Sequence, residues 1–336
     1  MSVRAEIFVV VNYKAARARA AWAQVESVLA ENGVRFDAHE AKGVGEAQTS
    51  ARAALRGGYR TIAVVGGDGT LGEVVTGFFE PESGDLTATT ATTATTATPA
   101  RINPEAALAV LPAGTGNDFA RGQDGERPSL ERWLERLIKH SRRNARETTT
   151  RPVDVLRGAI GDDARPFFCL NAATLGIGAE VAGRVAAQGR RVRQFSGEAR
   201  FALAAVQALA RWRARGISVR VDDGEAFECA TNLVAVANSP YAGGGMMFSP
   251  EARTDDGLLD VVTACRLTRR SLIREMTRIH SGGHVRNPRV RILRGERVRI
   301  EHLAPADRIA VEADGDVRGH TPLEFRVLAG ALKVVY

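Results

Sequence analysis

The sequence predicts an α/β domain with a parallel sheet, followed by a second domain built as an antiparallel β-sheet or sandwich. Three observations carry this. Apolar, β-branched runs alternate with helical stretches through residues 1–150, the pattern of a parallel sheet covered by helices on both faces. Two of those runs lead directly into glycine-rich turns. Beyond residue 151 short strand-like runs succeed one another between turn residues, the texture of an antiparallel sheet. At 336 residues the chain is long enough for two cores, and the boundary is placed at 150/151.

The elements follow in order. Residues 6–11 (EIFVVV) read as a buried parallel strand. A helix follows with Trp22, Val25, Val28 and Leu29 at helical spacing, ended by Asn32-Gly33. Residues 34–38 read as a second strand, 45–55 as a helix closed by Gly57-Gly58, and 61–65 (TIAVV) as a third strand. A helix is expected over 71–79 and a strand over 108–111. In the second domain, strand-like runs lie at 152–156, 166–171, 217–221, 231–237, 258–264 and 297–301, interrupted by one helical segment at 198–215. The last run, 324–336, is strand-like, and it either stays in the second domain or returns to the first.

Residues 87–100 (TATTATTATTATPA) are low-complexity and cannot bury a core, so they are expected to form a disordered surface insertion. Cys169, Cys229 and Cys265 show no metal or disulfide spacing, which predicts three reduced, buried thiols. The apolar stretch at the N-terminus is too short for a signal sequence or a span, and a cytoplasmic protein is expected. The net charge of +7 suits an anionic membrane, a phosphate-rich ligand or plain compositional bias. No motif of a nucleic-acid-binding module accompanies it, so no nucleic-acid partner is expected.

The chemistry concentrates in two turns. Gly66-Gly67-Asp68-Gly69-Thr70 joins a buried strand to a helix, where glycines admit close backbone approach and free amides attract anions. A tight turn without a ligand would read the same, but Asp68 adds information: a carboxylate among phosphates requires a cation or a donor hydroxyl beside it. The Gly-Lys-Ser/Thr ending of a Walker loop is absent. The second turn, Leu111-Pro112-Ala113-Gly114-Thr115-Gly116-Asn117-Asp118-Phe119-Ala120-Arg121, also follows a strand, and Asn117 or Asp118 could simply cap a helix. In a doubly wound sheet, both turns would face one crevice, with Thr70 and Thr115 offering hydroxyl donors.

GGDGT followed by LPAGTGNDFAR resembles the catalytic domain shared by diacylglycerol kinases, sphingosine and ceramide kinases and the bacterial lipid kinases. GGDGT alone also occurs in NAD kinases, and the second motif selects the lipid branch. The resemblance implies a NAD-kinase-like fold for the first domain and transfer of the γ-phosphate of ATP to a lipid hydroxyl, assisted by Mg2+. It implies nucleotide contacts at Asn12, Gly66, Gly67, Asp68, Gly69, Thr70, Gly114, Thr115 and Asn117. Residues 238–250 (NSPYAGGGMMFSP) and the acidic loop after them are similar to family stretches. That loop implies a structural magnesium site with the Asp256 carboxylate and the carbonyls of Arg253 and Leu258, although Asp256-Gly257 also reads as an ordinary β-turn. The family's terminal Asp-Gly-Glu turn corresponds to Asp314-Gly315-Asp316, so the implied proton acceptor is Asp316, one methylene shorter. Asp314 and Asp68 are the other candidates. Three further departures stand out. Only Asn12 survives of the family's Asn-Pro, small residues and Gly after the first strand, Gly72 replaces an Asn, and Ala41 replaces an expected Thr.

A lipid acceptor implies a membrane surface. The segment 200–215 places Phe201, Ala205, Leu209 and Trp212 on one helical stripe with Arg211, Arg213 and Arg215 at its end. It reads as a membrane-surface helix or as a core-packed helix with a basic end. Arg190, Arg191 and Arg193 form a second basic cluster, and His284 reads as structural. An exposed edge strand would support a homodimer. Two alternatives remain: a kinase for a soluble acceptor such as NAD, and a binding protein without turnover.

Overall fold

The computed structural model describes residues 5–81, 99–125, 127–143, 147–161, 166–189, 195 and 197–336. Residues 87–98 of the threonine-rich run lie outside the described residues, as do Arg190, Arg191 and Arg193. The chain divides into two units, Met1–Asp154 with Gly330–Tyr336, and Val155–Ala329.

The first unit is organised by strands whose side chains are buried on both faces. In chain order it contains β1 (Ile7–Asn12), α1 (Ala16–Glu31), β2 (Phe36–Ala41), α2 (Glu46–Arg56), β3 (Thr61–Gly66), α3 (Asp68–Gly77), β4 (Ala107–Pro112), α4 (Asp118–Asp124) and α5 (Leu130–Ser141). The strands run parallel in the order β2-β1-β3-β4. Every residue of β3 and β4 is buried, which explains their unbroken apolar sequence. β2 is the edge strand and half exposed, which explains its mixed sequence FDAHEA. Helix α5 turns Trp133, Leu134, Leu137 and Ile138 inward, each contributing about 1.5–3 kcal/mol through burial.

Register then positions the turns. Val65 pairs with Leu111 and Gly66 with Pro112, while Val11 pairs with Val65. The carboxyl ends of β1, β3 and β4 are therefore level, and the loops that leave them emerge side by side.

β5 (Thr150–Ile160) leads into the second unit. There follow β6 (Phe167–Cys169), β7 (Ala172–Gly176), α6 (Ile177–Ala186), α7 (Gly197–Arg211), β8 (Arg215–Val221), β9 (Phe227–Ala237), β10 (Tyr241–Ala242), β11 (Met246–Met247), β12 (Leu259–Cys265), α8 (Arg269–Arg278), β13 (Val290–Gly295), β14 (Arg297–His302), β15 (Ala310–Ala313), β16 (Asp316–His320) and β17 (Leu323–Val335). The first half of β17 pairs antiparallel with β14 in this unit, and its end pairs parallel with β4 in the first.

Strand alternation splits the second core in two. Ala173, Leu175, Val234, Val236 and Val261 face a cluster that includes Val219, Val298, Ile300 and Phe325, the interior of a β-sandwich. Their neighbours Ala172, Leu233, Ala235, Ala237 and Val262 face the opposite way into a second cluster with Ala204, Ala208 and Leu272 of the helices. The stripe on α7 thereby resolves as core: Ala205 is buried, and Leu209 and Trp212 pack against this cluster. The Phe201 side chain lies outside the described residues.

One expectation is corrected. Cys229 and Cys265 form a disulfide, and only Cys169 is a free, buried thiol among the described residues. β9 and β12 are antiparallel neighbours, and a register shift at Ala264/Cys265 sets Cys265 opposite Thr231. The Cα atoms of the two cysteines are thus 6.0 Å apart, within disulfide reach. Their separation of 36 residues hid this in the sequence.

Candidate active site

In the first unit the two glycine turns lock together. The Gly67 and Gly114 backbones touch: a Cβ on Gly114 would overlap the Gly67 Cα, and a Cβ on Gly67 would come to 3.0 Å from the Gly114 Cα. Asp68 completes the lock. Its Oδ2 accepts the Asp118 N–H at 3.0 Å and its Oδ1 the Phe119 N–H at 3.1 Å, so it satisfies the amides that open α4. Asn117 has a left-handed backbone, φ 52°, and its Oδ1 accepts the Gly114 N–H at 2.8 Å. Gly66, Gly67, Asp68, Gly114 and Asn117 thus build the scaffold, while Gly69 and Thr115 are exposed at the turn tips.

Beside this scaffold lies a hollow of roughly 150 Å³, lined by Asn12, Lys14, Ala41, Gly43, Thr70 and Glu73 among others. Asn12 Nδ2 donates to Thr70 Oγ1 at 2.8 Å, which joins the end of β1 to the first turn of α3. Glu73 accepts the Gly45 N–H at 3.2 Å and ties down the opposite rim. An ammonium, an amide, a hydroxyl and a helix start around one open hollow suit a nucleotide. Lys14 and Glu73 belong to neither glycine motif. Lys14 follows the retained Asn12 by two positions, and Glu73 follows Thr70 by three on the same helix, so both lie within reach of a motif-neighbour search.

In the second unit β15 and β16 form a hairpin whose tip is Asp314-Gly315, with φ of 47° and 96°, the positive-φ pair of a type I′ turn. Asp314 Oδ2 accepts the Leu170 N–H at 2.8 Å and Oδ1 the Asn171 N–H at 3.2 Å. Glu312, two residues earlier and buried, accepts the Gly315 N–H at 2.5 Å and the Thr174 hydroxyl at 2.6 Å. Burial pushes the Glu312 carboxyl up to about 7, with Asp314 and Asp316 adding to the effect and its two hydrogen bonds opposing it. Burial likewise pushes the neighbouring Cys169 thiol well up, reinforced by Asp314. Asp316 differs from both acids: its side chain is 65% exposed and lies 3.4 Å from the Arg318 guanidinium.

The acidic loop 253–260 is occupied by an arginine. Arg294 donates from Nη2 to Asp256 Oδ2 at 2.7 Å and from Nε to Asp260 Oδ1 at 2.7 Å. Asp256 Oδ1 accepts the Leu258 N–H at 3.1 Å, and Arg253 pairs with Asp255. Among the described residues no three His, Cys, Asp or Glu side chains gather as a metal cluster. With a guanidinium on the one carboxylate expected to bind it, this loop does not fit a divalent ion.

Comparisons with known proteins give the family. Residues 6–150 match the family model described as diacylglycerol kinase catalytic domain. Residues 173–336 match the YegS C-terminal NAD kinase beta sandwich-like domain. A Pseudomonas aeruginosa protein named probable lipid kinase YegS-like is 30% identical over 293 residues, 86% of this chain and 81% of that protein. A protein of Mycobacterium tuberculosis named diacylglycerol kinase is 30% identical over 68% of each chain. Among solved structures, a diacylglycerol kinase from Bacillus anthracis superposes with a TM-score of 0.65 at 20% identity, covering 98% of this chain and 96% of that one. Yeast NADH kinase superposes with a TM-score of 0.51 at 12% identity, covering 99% and 83%, which extends the NAD-kinase-like likeness to the fold alone. With the two family models matching in order and a relative 30% identical over 86% of this chain, the chain belongs to the family of diacylglycerol kinases and YegS-like lipid kinases.

Proposed function

We propose that this chain transfers the γ-phosphate of ATP, supplied as its magnesium complex, to the free hydroxyl of a lipid of the diacylglycerol type. The observation that carries the reading is the lock between Gly67, Gly114 and Asp68. It fixes two amide-rich turns beside one polar hollow, and phosphoryl transfer depends on positioning and charge neutralisation rather than on covalent help. In the proposed reaction the acceptor oxygen bonds to the γ-phosphorus as the β,γ-bridging bond breaks. ADP leaves, and the hydroxyl proton passes to the Asp316 carboxylate. Asp314 and Glu312 hold the turn that carries Asp316.

The acceptor is met at a membrane surface on the cytoplasmic side. No described helix is long and apolar enough to cross a membrane, so contact would be peripheral. The outward Leu203 and Val206 of α7, both exposed, are apolar groups available for it.

The test is transfer of labelled γ-phosphate from ATP with magnesium into a mixed lipid extract. A labelled lipid formed by wild type, and lost in both Asp68→Ala and Asp316→Asn, supports the reading and names the acceptor. Absence of labelled lipid while ATP still binds overturns it and shifts weight to a soluble acceptor or to a binding role.

A further inference from the structure

We propose that Arg294 is the built-in counter-cation of the 253–260 loop and stands where the family resemblance implies a divalent metal ion, so that this loop is ordered without metal. The inference is independent of the acceptor and of the kinase reading itself.

The placement follows from strand register. β12 and β13 are antiparallel, and Asp260 lies directly opposite Arg294, the arrangement in which cross-strand charge pairs meet. Asp260 is buried, 2% exposed. Its Oδ1 accepts Arg294 Nε at 2.7 Å, and its Oδ2 accepts the Ser249 hydroxyl at 2.5 Å. The outer edge of the same guanidinium reaches Asp256 Oδ2 at 2.7 Å, and Asp256 Oδ1 accepts the Leu258 N–H at 3.1 Å. One planar cation therefore spans two carboxylates, and every oxygen of both already has a donor. A buried carboxylate needs such compensation. A guanidinium supplies it through directional donors that an ion lacks. A magnesium ion on Asp256 Oδ2 would have to displace the Arg294 Nη2 donor and would sit against the remaining guanidinium charge.

The metal alone is the probe. Nucleotide-free protein is titrated with Mn2+, with free ion followed by electron paramagnetic resonance, and its melting is compared in EDTA and in about 10 mM MgCl2, a concentration that would fill an ordinary magnesium site. Wild type is expected to bind no stoichiometric Mn2+ and to melt at the same temperature in both solutions. Arg294→Gln exposes two facing carboxylates. It is expected to melt lower by roughly 5 °C in EDTA, to recover in MgCl2, and to gain one Mn2+ site that is lost again in Arg294→Gln/Asp256→Asn. Arg294→Lys keeps the charge but not the fork that spans both carboxylates, so it should bind no Mn2+ yet melt below wild type. One Mn2+ bound by nucleotide-free wild type and abolished by Asp256→Asn would overturn the proposal, and so would equal stabilisation of wild type and Arg294→Gln by magnesium. Because the titrations of wild type and Asp256→Asn decide the matter without Arg294→Gln, poor folding of that variant leaves the test intact.

Discussion

Replacing Glu312 by Gln isolates the energetic cost of an ionised carboxylate beneath the acid turn. Glu312 is 9% exposed, and its carboxyl is pushed from the ordinary 4.5 to about 7, first by burial and then by Asp314 and Asp316. The sign follows from proton linkage. The folded state holds this proton to a higher pH than the unfolded chain, so its contribution to stability is complete below pH 4.5 and is lost as pH rises through 7. Integrated over that window the loss is roughly 3 kcal/mol. The wild-type curve alone would not reveal it, because burial lowers His140 to about 4 and its neutral form loses stability in the opposite direction, as pH falls below 6.5. The difference between Glu312→Gln and wild type removes the His140 contribution. Gln is isosteric: its carbonyl can accept the Gly315 N–H, and its amide can face Thr174 Oγ1. Urea denaturation, followed by circular dichroism and tryptophan fluorescence, should give nearly equal stabilities at pH 4.5. The Gln protein should gain progressively up to pH 8, by as much as roughly 3 kcal/mol. A difference that stays flat across this range would falsify the account of a proton-retaining Glu312.

Three further outcomes are expected. Gly114→Ala forces a Cβ into the Gly67 Cα and should cost about 1–3 kcal/mol of stability together with ATP affinity, whereas Gly69→Ala meets nothing within 4 Å and should melt as wild type. Asp314→Asn replaces one carboxylate oxygen by an NH2, so one of the Leu170 and Asn171 amides loses its acceptor, and should cost about 1–3 kcal/mol; Asp316→Asn, exposed, should leave melting unchanged while kcat falls by about 10²-fold or more. Alkylation of unfolded protein without reductant should label one thiol, and three after reduction, since Cys229 and Cys265 are paired.

The fold was legible where burial alone dictates sequence. β3 and β4 are buried on both faces and spell continuous apolar runs. The edge strand β2 shows no such run and lies at Phe36–Ala41 instead of 34–38, because half its side chains meet solvent. Helix α3 begins at Asp68, three residues earlier than expected, since its glycine-rich first turn is shaped by the Gly114 backbone and by Asn12. Helix α5 is missing from the expectations although Trp133, Leu134, Leu137 and Ile138 are spaced for it. In the site, residue types and order were legible and partners were not. The amides that hold Asp314 lie 143 and 144 residues away, and the guanidinium on Asp256 lies 38 residues away. No local pattern encodes either pairing. Glu312 reads as an ordinary polar residue of a short strand, and only the pairing of β15 with β7 places it beside Thr174.

These partners separate three acids that the motifs leave equivalent. Asp68 and Asp314 each receive two backbone N–H bonds, one on each carboxylate oxygen. Both oxygens of each carboxylate are thereby taken up by main-chain donors, which fixes the side chain in place. Their geometry is that of braces: one holds α4 against the first glycine turn, the other holds the acid hairpin against the Leu170–Asn171 backbone. Asp316 is the one acid of the three with most of its side chain exposed and an arginine as its described partner. The proposal of Asp316 as proton acceptor thus rests on what the other two are already doing. Its shorter side chain sharpens the requirement on the hairpin. With one methylene less than the glutamate implied at this position, Asp316 reaches an acceptor only as far as its backbone carries it, and that backbone is held by the Gly315 bond to Glu312 and the Asp314 bonds to Leu170 and Asn171. Loosening either brace should therefore lower kcat even with Asp316 intact, and Asp316→Glu should tolerate the loosening better than Asp316 itself.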